Sequence, residues 1–345
     1  MAGFVFSTAT IHASCGIMRA EMNRTMTRHK RVVWNFKDAL KHLQNDSASL
    51  SAEALSALSN PDKTQIAAFA RTWGSLPVER RRRATRLMVE LAEQNIELDF
   101  NALFRHLLGD DDASVRAHSI DGLWEDEDPA LVKPFAAFLR DDPGADARAA
   151  AADALGRFLL LAEYGRLTNG QAELIGETLL AATRNLGEDL VVRCRAVEAL
   201  GYWSDEVVRE VITAAYDDDA PEMRTSAIAA MGRSADKYWR ETAANELQSP
   251  DARMRFEAAR ATGELKNRDA TEALIELLDD PDREVQSAAI TALGQVGGKL
   301  AKRALTEAAE SDDEMLSALA DEALQELEFG DNSEFLLFDM TTDEK

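Results

Sequence analysis

The chain has 345 residues, 46% of them hydrophobic but only 6% aromatic, and it carries 39 Lys and Arg against 62 Asp and Glu, a formal net charge of -23. An apolar stock dominated by Ala and Leu favours thin, closely packed helical layers over a thick globular core, and so acidic a field disfavours phosphate backbones and anionic lipid headgroups as partners. Cys15 and Cys194 are too few and too far apart for a disulfide framework or a zinc site, and no run is apolar for long enough to span a bilayer.

In chain order, residues 1–33 read as a poorly ordered N-terminal extension. The first 45 residues hold seven Lys and Arg against Glu21 and Asp38. The opening "MAGFVFSTATIHASCGIM" lacks the basic start of a signal peptide, and its apolar run is broken by Ser, Thr and His. The chain is therefore read as cytoplasmic, with export, a lipid-modified Cys15, or a start at Met18, Met22 or Met26 as the alternatives.

Residues 34–104 form a divergent set of helical repeats that caps the array: "VVWNFKDALKHL", "TQIAAFARTW" and "ERRRRATRLMVELAEQ" are helical in pattern but align poorly. The run "ERRRRATR" after Pro77 has two readings. It is a solvated helix face that neutralises acids of the next repeat, or a grip on an acidic protein or nucleic acid.

Residues 105–328 repeat themselves. Aligned on one column, Arg116, Arg148, Arg193, Arg224, Arg255 and then Gln286 are separated by 32, 45, 31, 31 and 31 residues, and 31 residues accommodate two short helices and two turns. Six residues before the column stand Asp110, Asp142, Gly187, Asp218, Ser249 and Asp280, with Pro143, Pro250 and Pro281 next to three of them. That pairing predicts an N-cap followed by proline at the first helical position. One apolar stripe runs through Val115, Val192, Met223, Met254 and Val285; Ile120, Ala152, Val197, Ile228, Ala259 and Ile290; and Leu123, Leu155, Leu200, Met231 and Leu293. Glycines follow at Gly156, Gly201, Gly232, Gly263 and Gly294, where the helix ends or another backbone comes close. The preceding segments, such as "DATEALIELL", supply a partner helix for each. Neither helix hides its stripe alone, and stacking buries both. A last copy around Leu316, Ala320, Ala323 and Leu324 is degenerate.

This combination of capping Asp, Pro, Val-Arg, Ala and Ala-Leu-Gly resembles HEAT repeats, in particular the short variety named after phycobilisome lyases. The resemblance implies an all-α, right-handed α-solenoid of the HEAT/armadillo-like kind. It also implies a structural ladder in which the Asp column (Asp110, Asp142, Asp218, Asp280) pairs with the Arg column (Arg116, Arg148, Arg193, Arg224, Arg255) of neighbouring repeats. Gly187, Ser249 and Gln286 depart from the pattern and are expected to interrupt it. The 45-residue step carries about 14 extra residues around Thr168-Asn169-Gly170, read as a tolerated surface insertion or as a binding ridge.

No chemistry accompanies the repeat. The five histidines show no metal-ligand pairing and none is followed by Glu, unlike the iron-dependent hydroxylases that share this kind of fold. "LGQVGG" lies between helices and is no phosphate loop. Cys194 fills a slot that other repeats give to small residues. The expectation is therefore no catalytic residue, no metal and no cofactor.

The expected function is a protein-binding scaffold. In HEAT-type arrays the second helices line the concave side, and positions one, five and nine after the Arg column point away from the stripe. On that face Arg157, Glu198, Tyr202, Arg233, Phe256 and Arg260 are the candidate partner-binding residues, because aromatic and Arg anchors dominate interface energetics. Phe256 has a second reading, folded into the groove between repeats. The partner is a protein with a basic or neutral surface, with no nucleic acid and no membrane. Two alternatives stand beside this: a bilin-lyase-like enzyme or subunit, implied by the resemblance alone, and a HEAT-like nucleic-acid binder. The tail over 329–345, with Phe335, Leu336, Leu337 and Phe338, is either a cap on the last repeat or a docking peptide.

Overall fold

The computed structural model describes residues 33–327, so the expected N-terminal extension short of Val33 and the tail lie outside the described residues. The chain divides into two compact units, one reaching Trp203 and the other beginning at Ser204. Every regular element among the described residues is helical.

The first unit contains α1 (Phe36–Gln44), α2 (Ala52–Ser56), α3 (Lys63–Trp73), α4 (Val78–Gln94), α5 (Asn101–Leu107), α6 (Ala113–Gly122), α7 (Val132–Asp141), α8 (Ala145–Glu163), α9 (Asn169–Arg184) and α10 (Leu190–Leu200). The second contains α11 (Glu206–Tyr216), α12 (Pro221–Arg233), α13 (Arg240–Asn245), α14 (Ala252–Glu264), α15 (Thr271–Glu276), α16 (Arg283–Val296) and α17 (Gly298–Ala309), followed by α18 over 314–327. Within each unit these are stacked hairpins. The second helices α4, α6, α8 and α10 pack in succession in the first unit, and α12, α14 and α16 do so in the second, each with its own first helix alongside. The architecture is thus an all-α solenoid built from a repeated two-helix layer.

The predicted stripe is the core. Ile120, Ala152, Val197, Ile228, Ala259 and Ile290 are all buried, as are Leu123, Leu155, Leu200, Met231 and Leu293. The glycine column has a specific use. Four of the five lie inside second helices that run past them, and each of these abuts an alanine of the next second helix: Gly156 faces Ala199, Gly232 faces Ala261, Gly263 faces Ala292 and Gly294 faces Ala323, while Gly201 caps the end of α10. A Cβ at Gly232 would stand 2.7 Å from the Ala261 Cα, and one at Gly263 would stand 2.9 Å from the Ala292 Cα. Small residues on both sides let the backbones approach, and the remaining apolar stripe then closes without voids.

The helix starts need a correction. The Asp column does not cap. Asp110, Asp142, Asp218 and Asp280 each accept a hydrogen bond from the backbone N–H two residues on, at 2.8–2.9 Å, and so form the turn before the helix. The caps follow two residues later. Asp112 accepts from the Val115 N–H, Asp251 from the Arg253 N–H, and Asp282 from the Glu284 and Val285 N–H groups. Pro143, Pro250 and Pro281 therefore sit in the turn, and it is Pro221 that occupies a first helical position. Freed from capping, the column carboxylates keep an oxygen for the neighbouring repeat.

The first hairpins are locked by an unusual buried charge. Arg80, 8% exposed, donates to the carbonyls of Leu43 at 2.5 Å, His42 at 2.9 Å and Ala48 at 2.9 Å. Two of these belong to the C-terminal turn of α1, whose carbonyls have no partner within the helix. The guanidinium completes them and pins α1 to α4. The inserted segment between α8 and α9 also folds back. Gln171 donates to the Pro129 carbonyl at 3.2 Å and Arg166 pairs with Glu127, so the turn rests on the preceding hairpin.

Candidate functional site: the second-helix face

One edge of the second helices is an ion-pair ladder. Arg116 grips Asp142 through Nε and Nη2, both at 2.7 Å, and donates Nη1 to the Asp110 carbonyl of its own turn at 2.8 Å. Arg255 repeats this with Asp280, at 2.7 and 2.9 Å, and with the Ser249 carbonyl at 2.8 Å. Each rung thus ties an Arg to the turn of the next repeat. Gly187 does not open the edge, because Glu188 takes the place of the missing carboxylate and accepts from Arg148 at 2.6 Å, with Asp189 at 3.0 Å. At Ser249 the rung is absent: Arg224 bonds only the carbonyls of Asp218 and Asp219. Gln286 keeps the bond to its own turn, to the Asp280 carbonyl at 2.8 Å, while Arg283 pairs with Asp313. Arg193 and Asp218 lie on opposite sides of the unit boundary.

The ladder extends further toward the N-terminus than the aligned repeats do. Arg81 donates to both carboxylate oxygens of Asp110 at 2.6 Å, beside a 2.6 Å bond from the Trp73 indole, and Arg82 chelates Asp112 at 2.6 and 2.9 Å. The run "ERRRRATR" therefore neutralises acids of the next repeat. Hydrogen bonds from Arg82, Arg116 and Arg255 help hold Asp112, Asp142 and Asp280 below the ordinary carboxylate range, against the opposing effect of burial.

The face next to this ladder carries the candidate partner residues in two groups. On the first unit Glu198 is buried and accepts from Arg195 at 2.8 Å, Tyr202 is half-buried beside Gly156, and Arg157 bonds Asp153 at 3.3 Å. On the second unit Phe256 is half-buried beneath the Arg260 guanidinium, 5.8 Å from its ring centroid, and Arg260 also holds Glu257 at 3.1 Å. Burial pushes the Glu264 carboxyl up, with Arg260 and Arg233 opposing. Three positions expected to face outward one residue after the column, Ala117, Ala149 and Cys194, are in fact buried, as is Ala229 five after it. Close packing of the second helices covers them, so the open face is narrower than the helical wheel implies.

One residue on this face was not singled out from sequence. The Asp121 side chain is open to solvent and forms no hydrogen bond or ion pair among the described residues. Loss of hydration pushes its carboxyl from the ordinary 3.8 up to about 6, with Asp153 and Glu93 adding repulsion and His118 and Arg157 opposing. Because the folded value is raised, the ionised form opposes folding: its cost grows as pH rises from about 4 to about 6 and is constant above. Asp121→Asn is therefore expected to raise the melting temperature at pH 7.5 slightly, by less than the full shift implies because solvent screens an exposed carboxylate, with the gain vanishing by pH 3.5 in thermal melts. An unchanged melting temperature at pH 7.5 would show that this carboxylate is fully hydrated.

No group of three or more His, Cys, Asp and Glu among the described residues is placed to hold a metal ion, and no described helix is long and apolar enough to cross a membrane. An array of two-helix layers, with a small-residue seam, an Arg–carboxylate edge and an open second-helix face, defines the class of the protein as a helical repeat protein. Residues 240–325 match the family model of HEAT repeats. No curated protein matches the sequence. Among solved structures, the complex of CpcE and CpcF of phycocyanin lyase from Nostoc sp. PCC7120 is similar at 20% identity, covering 65% of this chain and 86% of that chain with a TM-score of 0.49. Human deoxyhypusine hydroxylase is similar at 18% identity over 76% of this chain and 95% of that one, TM-score 0.34. The Kap95:Nup1 complex is similar at 13% identity over 85% of this chain and 46% of that chain, TM-score 0.44.

Proposed function

We propose that this protein is a non-enzymatic scaffold that binds partner proteins on the second-helix face of its HEAT repeats. The observation that carries the reading is the Phe256–Arg260 pair: a half-buried aromatic ring under a guanidinium that Glu257 holds in place. Such a group offers a large contact area at small ordering cost, which is what interface anchors supply. Arg233 and Glu264 extend the group, and Arg157, Glu198 and Tyr202 give the first unit a polar counterpart on its own second helices. The acidic field selects basic or neutral protein surfaces and repels nucleic acid. The cytoplasm is the compartment we assign. Affinity purification from the native host tests the reading. Partners recovered by the wild type are expected to be lost with Phe256→Ala/Arg260→Glu, and an unchanged set of partners would contradict it.

A further inference from the structure

One rung of the ladder lacks its carboxylate, and the donors around the gap are those of the occupied rungs. Arg116 and Arg255 each anchor Nη1 on a carbonyl of their own turn and hold a carboxylate of the next repeat through Nε and Nη2 at 2.7–2.9 Å. Arg224 keeps the anchor, donating Nη1 to the Asp218 and Asp219 carbonyls at 3.2 and 3.3 Å, while its Nε and Nη2 have no acceptor among the described residues. Ser249 stands where the carboxylate of the next repeat belongs. The acids of that turn are committed elsewhere: Glu246 accepts from the Tyr216 hydroxyl at 2.5 Å, and Asp251 accepts from the Arg253 N–H at 2.9 Å.

The turn itself is unchanged by the serine. Ser249 has φ -58° and ψ 142°, against -59° and 140° at Asp280, and Asp251 has -86° and 120°, against -98° and 122° at Asp282. In the occupied turn the Asp282 N–H donates to the Asp280 carboxylate at 2.9 Å. The matching Asp251 N–H has no acceptor among the described residues. Three donors that bind a carboxylate elsewhere in the array therefore stand without one here, two on the half-buried Arg224 guanidinium and one on the backbone.

We infer that this vacant rung binds a carboxylate from outside the chain, supplied by an Asp or Glu side chain of a partner protein. The inference rests on the scaffold reading and adds one contact of defined chemistry. A planar guanidinium edge beside a backbone N–H matches the two oxygens of a carboxylate in a fixed plane, which a point charge does not do. The donors are already held by the turn and by the Nη1 anchor, so little ordering opposes binding. The occupied rungs at Asp142 and Asp280 are filled by side chains carried on a backbone, so a side chain fits the gap better than a free acid. The partner thus presents a single acid to this rung on an otherwise basic or neutral surface.

The experiment uses the full-length, 15N-labelled protein and follows the Arg224 Nε–Hε signal by NMR at pH 6.0 and constant ionic strength. The probe is N-acetyl-aspartate N-methylamide, with its asparagine analogue and acetate as comparisons. The aspartate compound is expected to move the signal downfield along a saturating curve, at least tenfold more tightly than the asparagine analogue and more tightly than acetate. Ser249→Asp closes the rung from within. It is expected to place the signal downfield without ligand, to abolish the response and to raise the melting temperature. A response to the aspartate compound that does not saturate, or one that persists in Ser249→Asp, would overturn the inference. Tighter saturation by acetate would overturn its assignment to a side chain. Any of these results alongside partner loss from Phe256→Ala/Arg260→Glu would leave the scaffold reading standing and remove this inference alone.

Discussion

Arg116→Ala is expected to cost about 3–5 kcal/mol of stability, the range for removing one partner of a buried ion pair. Arg116 is 8% exposed and Asp142 likewise, and the guanidinium satisfies three acceptors at once: two carboxylate oxygens of the next repeat and the Asp110 carbonyl. Its loss leaves the buried carboxylate with only the Gly144 N–H and the Asp110 carbonyl without its guanidinium donor. The cost therefore reflects what is left unpaired more than the intrinsic strength of the pair. A double variant, Arg116→Met/Asp142→Asn, is expected to recover more than half of it in urea melts, because the amide still accepts from the Gly144 N–H and no bare charge remains. Arg283→Ala, at the exposed end of the ladder, is expected to cost at most about 1 kcal/mol. The pH signature follows from the depressed carboxyl of Asp142. Its contribution is fully present above the unfolded value near 3.8 and is lost as pH falls through the lower folded value. Wild type is thus expected to lose stability more steeply than Arg116→Ala on acidification below pH 4.

Gly263→Val is the second large expected effect, about 2–3 kcal/mol, the scale of overpacking a tight contact. The new Cβ would stand 2.9 Å from the Ala292 Cα and 3.1 Å from its Cβ. The obstacle is the backbone of the next second helix, and α14 and α16 must separate along their whole contact for it to yield. Gly170→Ala provides the opposite sign. It lies in the first turn of α9 with nothing within 4 Å of the added carbon, so the substitution is expected to be neutral or to stabilise by about 0.5–1 kcal/mol through reduced chain entropy. Equilibrium unfolding of the two variants checks the pair, and a Gly263→Val protein as stable as wild type would show that the second helices do not need the close seam.

The repeat register was legible because the apolar slots of the repeats from Val115 to Leu293 are filled by side chains that end buried, and a stripe at fixed steps needs no structure to be read. The first copy escaped notice for a physical reason. In the slot given to Val or Met elsewhere stands Arg80, and in the Ile or Ala slot stands Thr85. Both are buried, one because the α1 carbonyls satisfy it and the other because its hydroxyl donates to the Arg81 carbonyl at 2.9 Å. Polar residues with private partners look like surface in a sequence. The helix starts were placed two residues early because Asp before Pro suits a turn as well as a cap, and only the N–H it accepts from tells them apart. Asp121 was on the helical wheel, but the carboxylates that act on it from other hairpins, Glu93 and Asp153, leave no local signature. Glu188, one place beyond the Gly187 slot, kept the ladder edge closed where the column alone suggested a gap.

The central claim is that the second-helix face is the working surface. The most direct measurement compares three full-length baits by quantitative affinity purification: wild type, Phe256→Ala/Arg260→Glu, and Arg209→Glu/Tyr238→Ala. The last pair alters a depression on the first-helix side, where Arg209 lies 5.2 Å over the exposed Tyr238 ring. The account predicts that partners are lost from the second bait and retained by the third. Partners retained by the second bait and lost from the third would contradict it.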